Sequence, residues 1–230
     1  MSSDFLGEWL AARINVFSGN LVWKALGETL TMVGVSGTLA VLVGVPLGVI
    51  LVITSKNGLR PNPVLNACLG GVVNVTRSIP FIILCIYIMP LTKLLVGGTI
   101  GTKGSIPPLA IAAIPFMARM AEVSFKEVPS GLIEAAQSMG ATTMQIIRKV
   151  LIAESLPSLV SGITIMLVAL IGYSAIVGTV GGGGLGTVAI NYGHARYRGD
   201  VMDAVVLIII VLVVIVQLAG DWIAAKVNHR

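Results

Sequence analysis

The sequence predicts an all-α membrane protein with five transmembrane helices. Three observations carry this prediction. Of the 230 residues, 56% are hydrophobic and only 11% charged, with mean hydropathy +0.97, whereas a soluble domain carries about 25% charged residues. Apolar runs long enough to cross a hydrocarbon layer of about 30 Å recur along the chain. The interiors of those runs are almost free of carboxylates. The formal net charge of +5 is scattered, as expected of the basic flanks of membrane helices rather than of a nucleic-acid surface. No soluble domain and no internal repeat stands out, so residues 1–230 read as one transmembrane domain.

The segment 1–24 places Phe5, Leu6, Trp9 and Leu10 at helical spacing and predicts an interfacial helix, with Trp9 and Trp23 at the membrane boundary. It lacks the pattern of a secretory signal, so insertion is left to the spans. Span one covers about 29–54, with Gly34, Gly37, Gly44 and Gly48 allowing close helix packing and Pro46 a kink. The polar turn SKNGLRPNP follows. The run 64–96 is too long for one simple span and is interrupted by Asn74, Thr76, Arg77, Ser78 and Pro80. It reads as one broken helix, with two spans as the alternative. Arg77 is costly in lipid and must face protein or water, or else anchor one end of the run 79–96 at the interface. A turn at 97–105 leads to span three at 106–120, extended to 125. Span four covers 156–177 and span five 201–223, joined by the glycine-rich connection GTVGGGGLGTVAINYGHARYRGD.

Five spans put the termini on opposite faces. With the N-terminus outside and the C-terminus cytoplasmic, and Arg77 left uncounted, eight basic residues face inward and six outward, the direction the positive-inside rule favours. This places 130–157 in the cytoplasm.

The chemistry is defined by what the spans lack. GGGGLG satisfies G-x-G-x-x-G, but a membrane span precedes it where dinucleotide binding needs a strand. It reads as a flexible or tightly packed loop. No G-x-x-x-x-G-K-[ST] exists, so the chain has no ATP-hydrolysing P-loop. Glu28, Asp200, Asp203 and Asp221 lie near span ends, and Glu122 and Glu127 at or beyond the end of span three. Ion-coupled carriers place such groups at membrane depth. His194 and His229 have no nucleophile nearby in sequence, and Cys68 and Cys85, if they share one helix, lie about 25 Å apart at 1.5 Å per residue, too far for a disulfide. No metal-type cluster is present. A transporter of this composition takes its energy from another chain.

The stretch 130–157 offers the entry point. It predicts two short helices hinged at Gly140, the first capped by Ser130 and the second by Thr142 or Thr143. Ile133, Ala136 and Met139 share one side of the first; Met144, Ile147 and Leu151 share one side of the second. Such a unit docks into a partner's groove or packs on its own protein. A DNA-binding helix-turn-helix is excluded by the flanking spans and the lack of a basic face. Tyr173, Ser174 and Ile176 end span four and are placed to line or gate a pore, Ile176 as an apolar constriction, or to pack helices.

Glu134-Ala135-Ala136, three residues, Gly140 and nine further residues resemble the EAA motif of ABC-importer permeases. That pattern closes with I-x-L-P; here Val150, Leu151, Ile152 and Ala153 stand there, and the next proline is Pro157. RSIPFIIL at 77–84, GLIEAAQSMGATTMQIIRKVL at 131–151 and GYSAIVGTVGGGGLG at 172–186 are similar to stretches of methionine-uptake permeases, and the likeness runs from about Trp23 onward. The resemblance implies the type I ABC-importer permease fold, with a cytoplasmic coupling segment at 130–152. It implies that Glu134, Ala135, Ala136, Gly140 and Ala141 engage the ATPase; from their own positions, Arg77, Tyr173, Ser174 and Ile176 are the pore or gate candidates. It implies a homodimer in the bacterial cytoplasmic (inner) membrane, two cytoplasmic ABC ATPase subunits that hold ATP and Mg, and an extracytoplasmic methionine-binding lipoprotein. No cofactor is expected on this chain, and no nucleic-acid partner. ATP binding would close the ATPases, draw the coupling helices together and open the permease outward. The expected function is import of methionine, with the D-isomer as a wider range. A same-class permease for another small amino acid and a non-transporting membrane scaffold are the alternatives.

Overall fold

The computed structural model describes residues 20–228, which are helical and contain no strand. The interfacial assignment of Trp9, and the tail residues His229 and Arg230, lie outside the described residues. Helix α1, Asn20–Ile53, starts nine residues before the expected span. Its buried positions Val22, Ala25, Thr29, Met32, Ser36 and Ala40 step by three or four, so one continuous stripe carries the helix past Gly27.

Asn62 caps α2, Pro63–Ser78, by accepting from Leu65 N–H at 3.0 Å, and Pro63 occupies the first turn. The run 64–96 is a broken helix. Ile79 is extended (φ −81°, ψ 123°) because the residue before a proline is disfavoured in the helical region. Two further pieces follow, α3 (Phe81–Tyr87) and α4 (Met89–Val96), the latter closed by Gly97 at φ 78°. Helix α5 runs Gly101–Lys126, so the turn predicted at 97–105 is only four residues long. Pro107 and Pro108 forfeit only bonds to the carbonyls of residues 103 and 104, and the helix begins ahead of them.

Helix α6 is Ser130–Ser138 and α7 is Thr143–Ile146. A π-helical turn, Ile147–Leu151, joins α7 to α8, Ile152–Val177. Span four therefore has no break at residue 156. With Ala153 where the family pattern has proline, the backbone N–H is kept, and Pro157 forfeits a single bond inside α8.

The glycine-rich connection is not a loop. It folds into a 3₁₀ turn (Gly178–Val180), helix α9 (Gly184–Val188) and a π-helical turn (Ala189–His194) before α10, Gly199–Val227. Four helices are long and apolar enough to cross a membrane, or five if the bent pair α2 and α3 counts as one span.

The chain divides into two compact units. One contains residues 20–36, 81–109 and 168–215 of the described chain; its core joins Val22, Ala25, Leu185, Val188, Val201 and Val205. The other contains 37–80, 110–167 and 216–228; Leu51, Val73 and Ala118 form a core there. In this second unit a Cβ on Gly48 would lie 2.6 Å from Ala121 Cβ, so α1 and α5 meet at backbone distance.

Candidate coupling segment and transport-path residues

The candidate coupling segment, 130–152, is built from its backbone outward. Ser130 is not a cap: it is the first helical residue, preceded by Pro129, which supplies no side-chain acceptor. The helix end is more fully satisfied. Gly140 takes φ 76°, its N–H donates to Gln137 O at 2.9 Å, and Ala141 N–H donates to Ala136 O at 3.0 Å. These two bonds are the Schellman pattern, which needs a left-handed residue at the position of Gly140. Two residues on, Thr142 and Gln145 form a capping box, with Thr142 N–H to Gln145 Oε1 at 2.8 Å and Gln145 N–H to Thr142 Oγ1 at 3.4 Å. Of the two candidate caps, Thr142 is the one used.

Burial corrects the predicted faces. Ala136, Ile146 and Leu151 point inward, while Met139 and Met144 are 81% and 61% exposed. The π-helical turn shifts the register, so the buried residues Ile146 and Leu151 are five apart and the 144–147–151 stripe is not kept. Glu134, Ala135 and Gly140 are exposed, Ala141 half-buried. Around the hinge lies a groove of about 410 Å³, lined by Ala136, Met139, Gly140, Ala141, Gln145 and Lys149 among others. A second groove of about 560 Å³ includes Lys56, Lys126, Ser130, Glu134 and Gln137 in its wall.

Glu122 lies inside α5 and is buried, its carboxylate held by Arg119 at 2.7 Å and Lys126 at 2.6 Å. It is neutralised within its own helix. Among the described residues no group of three or more His, Cys, Asp and Glu gathers to hold a metal ion.

The transport-path candidates fall in both units. In the first, the half-buried Tyr173 ring stacks on Phe81, centroids 4.5 Å apart. Ser174 is buried and donates to Ile171 O at 2.7 Å, and Ile176 is 36% exposed. In the second, exposed Arg77 stands in the last turn of α2 with its guanidinium 5.8 Å from the Phe116 ring centroid.

Sequence reasoning missed one arrangement. The Glu28 carboxylate accepts from Gly184 N–H at 2.8 Å, and Thr29 Oγ1 accepts from Leu185 N–H at 2.9 Å. Side chains of α1 thus cap α9 across 156 residues of sequence. No local pattern announces so distant a cap; the available signal was a Glu-Thr pair facing a helix start without its own capping side chain.

With this geometry in view, likeness to known proteins becomes specific. Residues 44–230 match the family described as binding-protein-dependent transport system inner membrane component. The chain is 51% identical over 230 residues to the probable D-methionine transport system permease protein MetI of Vibrio cholerae, covering 100% of both. It is 45% identical over 209 residues to the methionine import system permease protein MetP of Bacillus subtilis, covering 91% of this chain and 94% of that one. A solved chain from the inward facing MetNI methionine ABC transporter (native crystal form) superposes with TM-score 0.90 at 45% identity, covering 91% of this chain and 97% of that chain. An amino acid ABC transporter crystallised with histidines shares the fold, with TM-score 0.76 at 20% identity over 98% of this chain and 100% of that chain. The chain therefore belongs to the binding-protein-dependent transport system inner membrane components, the multi-pass permeases of ABC importers.

Proposed function

We infer that this chain is the permease through which an ATP-driven importer moves methionine into the cytoplasm. The observation that carries the reading is the hinge at Gly140. A backbone-locked helix pair leaves Glu134, Ala135, Met139 and Met144 exposed beside an open groove, in a chain without a P-loop. An amphipathic surface of this kind suits a partner's cleft, and the π-helical turn links it without a break to span four. A push on the hinge is thereby applied to a membrane helix.

The working assembly is a homodimer with two cytoplasmic ATPases holding ATP and Mg, fed by an extracytoplasmic methionine-binding lipoprotein. The N-terminus faces outward and the C-terminus the cytoplasm, so the coupling segment meets the ATPases. Glu134, Ala135, Ala136, Gly140 and Ala141 make or shape that contact. Tyr173 and Ile176 border the path, and Ser174, bonded to its own helix, fixes their turn. Both L- and D-methionine are substrates.

Vesicles containing this chain, its ATPase and its binding protein should accumulate labelled methionine only when ATP is supplied. Uptake by the chain alone under a proton gradient would overturn the reading. Competition by other amino acids in the same vesicles reports the substrate range.

A further inference from the structure

Among the described residues, Arg77 is a charge with no ion-pair partner. It stands in the last turn of α2, beside the break at which α2 and α3 bend by 102°. Its guanidinium lies 5.8 Å from the Phe116 ring. The residues flanking Phe116 on α5 meet α1 at Gly44, where a Cβ would lie 2.8 Å from Met117 Cβ and Ile114 O. Gly44 is near the middle of the charge-free stretch 29–55. Arg77 is therefore level with the middle of the charge-free stretch of α1 rather than with its end.

Among the described residues, Arg77 makes no ion pair; its guanidinium lies over the Phe116 ring. The described carboxylates lie elsewhere. Glu122 is taken by Arg119 and Lys126, and Glu28 caps α9. Glu127, Glu134 and Glu154 lie in or beside the coupling segment, Asp200 and Asp203 at the start of α10, and Asp221 in its last turns. Asp4 and Glu8 precede the first span. A second copy of this chain brings the same set at the same positions, so dimerisation supplies no mid-depth partner. A buried or lipid-facing charge left so is strongly unfavourable, and an anion that meets Arg77 relieves that cost.

Arg77 also sits where the membrane helix breaks. Of the last carbonyls of α2, Thr76 O accepts from Ile79 N–H at 3.4 Å, the others lying beyond the helical ladder, and Asn74, exposed one turn earlier, shares the face of Arg77. Broken helices at mid-depth are where transporters meet their substrates. We propose that Arg77 binds the carboxylate of the amino acid in transit, while Asn74 and the carbonyl end of α2 take its ammonium group. This assignment rests on the methionine-import reading and gives that substrate a station inside the permease.

The test uses the complete complex in vesicles. If the unsubstituted complex imports no methionine with ATP, both readings fall. If it does, Arg77→Gln should assemble and melt like the unsubstituted complex. Its KM for uptake should rise roughly ten- to a hundredfold, the range of a lost charged hydrogen bond. In a background with Cys68→Ser and Cys85→Ala, Arg77→Cys should regain uptake when converted to an aminoethyl disulfide. It should not regain uptake with a neutral methyl disulfide. An unchanged KM in Arg77→Gln overturns the station while leaving methionine import intact. So does equal rescue by the neutral and cationic adducts, or a complex that no longer assembles and that the cation does not restore.

Discussion

Two stretches of this protein do the same topological job with glycine used in opposite ways. Each is a glycine-containing lead-in that ends in a π-helical turn before a long membrane helix: 130–151 before α8, and 178–194 before α10. At Gly140 the requirement is conformational. Its φ is 76°, and an added Cβ would meet nothing within 4 Å. At Gly186 the requirement is spatial. Its φ is ordinary, and an added Cβ would collide with the backbone of Ala175. Gly182 is similarly closed in by Val177 and Ser105. One glycine lets the chain turn where there is room; the others let it pass where there is none. The first suits a segment that receives a partner, the second a segment fixed within a core.

Substitutions separate the two roles. Gly186→Ala should be the most damaging to stability, by about 3 kcal/mol, because backbone overlap is not relieved by side-chain rotation; thermal unfolding of the purified complex reads it. Gly186→Asn should be no better. Glu28→Ala, which strips the acceptor from the start of α9, should cost about 2 kcal/mol in the same assay. Glu28→Gln keeps a side-chain oxygen and should cost less. A larger loss for Gln than for Ala would show that the cap is misassigned.

At the hinge, stability and coupling should part company. Gly140→Val should lower stability by only about 1–2 kcal/mol, the strain of a left-handed residue, yet abolish substrate-stimulated ATP hydrolysis. Gly140→Asn, which tolerates that region, should keep most of the coupling. Thr142→Ala should be the mildest, about 1 kcal/mol from the lost capping box, with coupling reduced but present. If Gly140→Ala destabilised as much as Gly186→Ala, the distinction between freedom and proximity would collapse.

Local chemistry was legible in the sequence, and long-range chemistry was not. The hinge at Gly140 and the cap at Thr142 follow from residues within six positions of each other. The break in the run 64–96 follows from Pro80 and the restraint it puts on Ile79. The folding of GTVGGGGLG could not be read, because what orders it is supplied by Glu28 and Thr29 of α1 and Ser105 of α5. Composition alone marks such a stretch as flexible; only its neighbours make it a core. The expected Ser130 cap failed because a proline precedes the helix. The faces of the second short helix of 130–157 were misjudged because a π-helical turn has no sequence period of its own. For the candidate site, the EAA stretch was visible as a pattern, whereas the depth of Arg77 emerged only from its packing against Phe116.

The central claim is that energy enters the permease through the Gly140 hinge. It is tested most directly by the number of methionines imported per ATP hydrolysed in vesicles carrying the complete complex, compared for the unsubstituted chain and Gly140→Val. The ratio should fall at least tenfold in Gly140→Val, with the complex still assembled and only slightly less heat-stable. A ratio that stays the same in the assembled complex would contradict the claim.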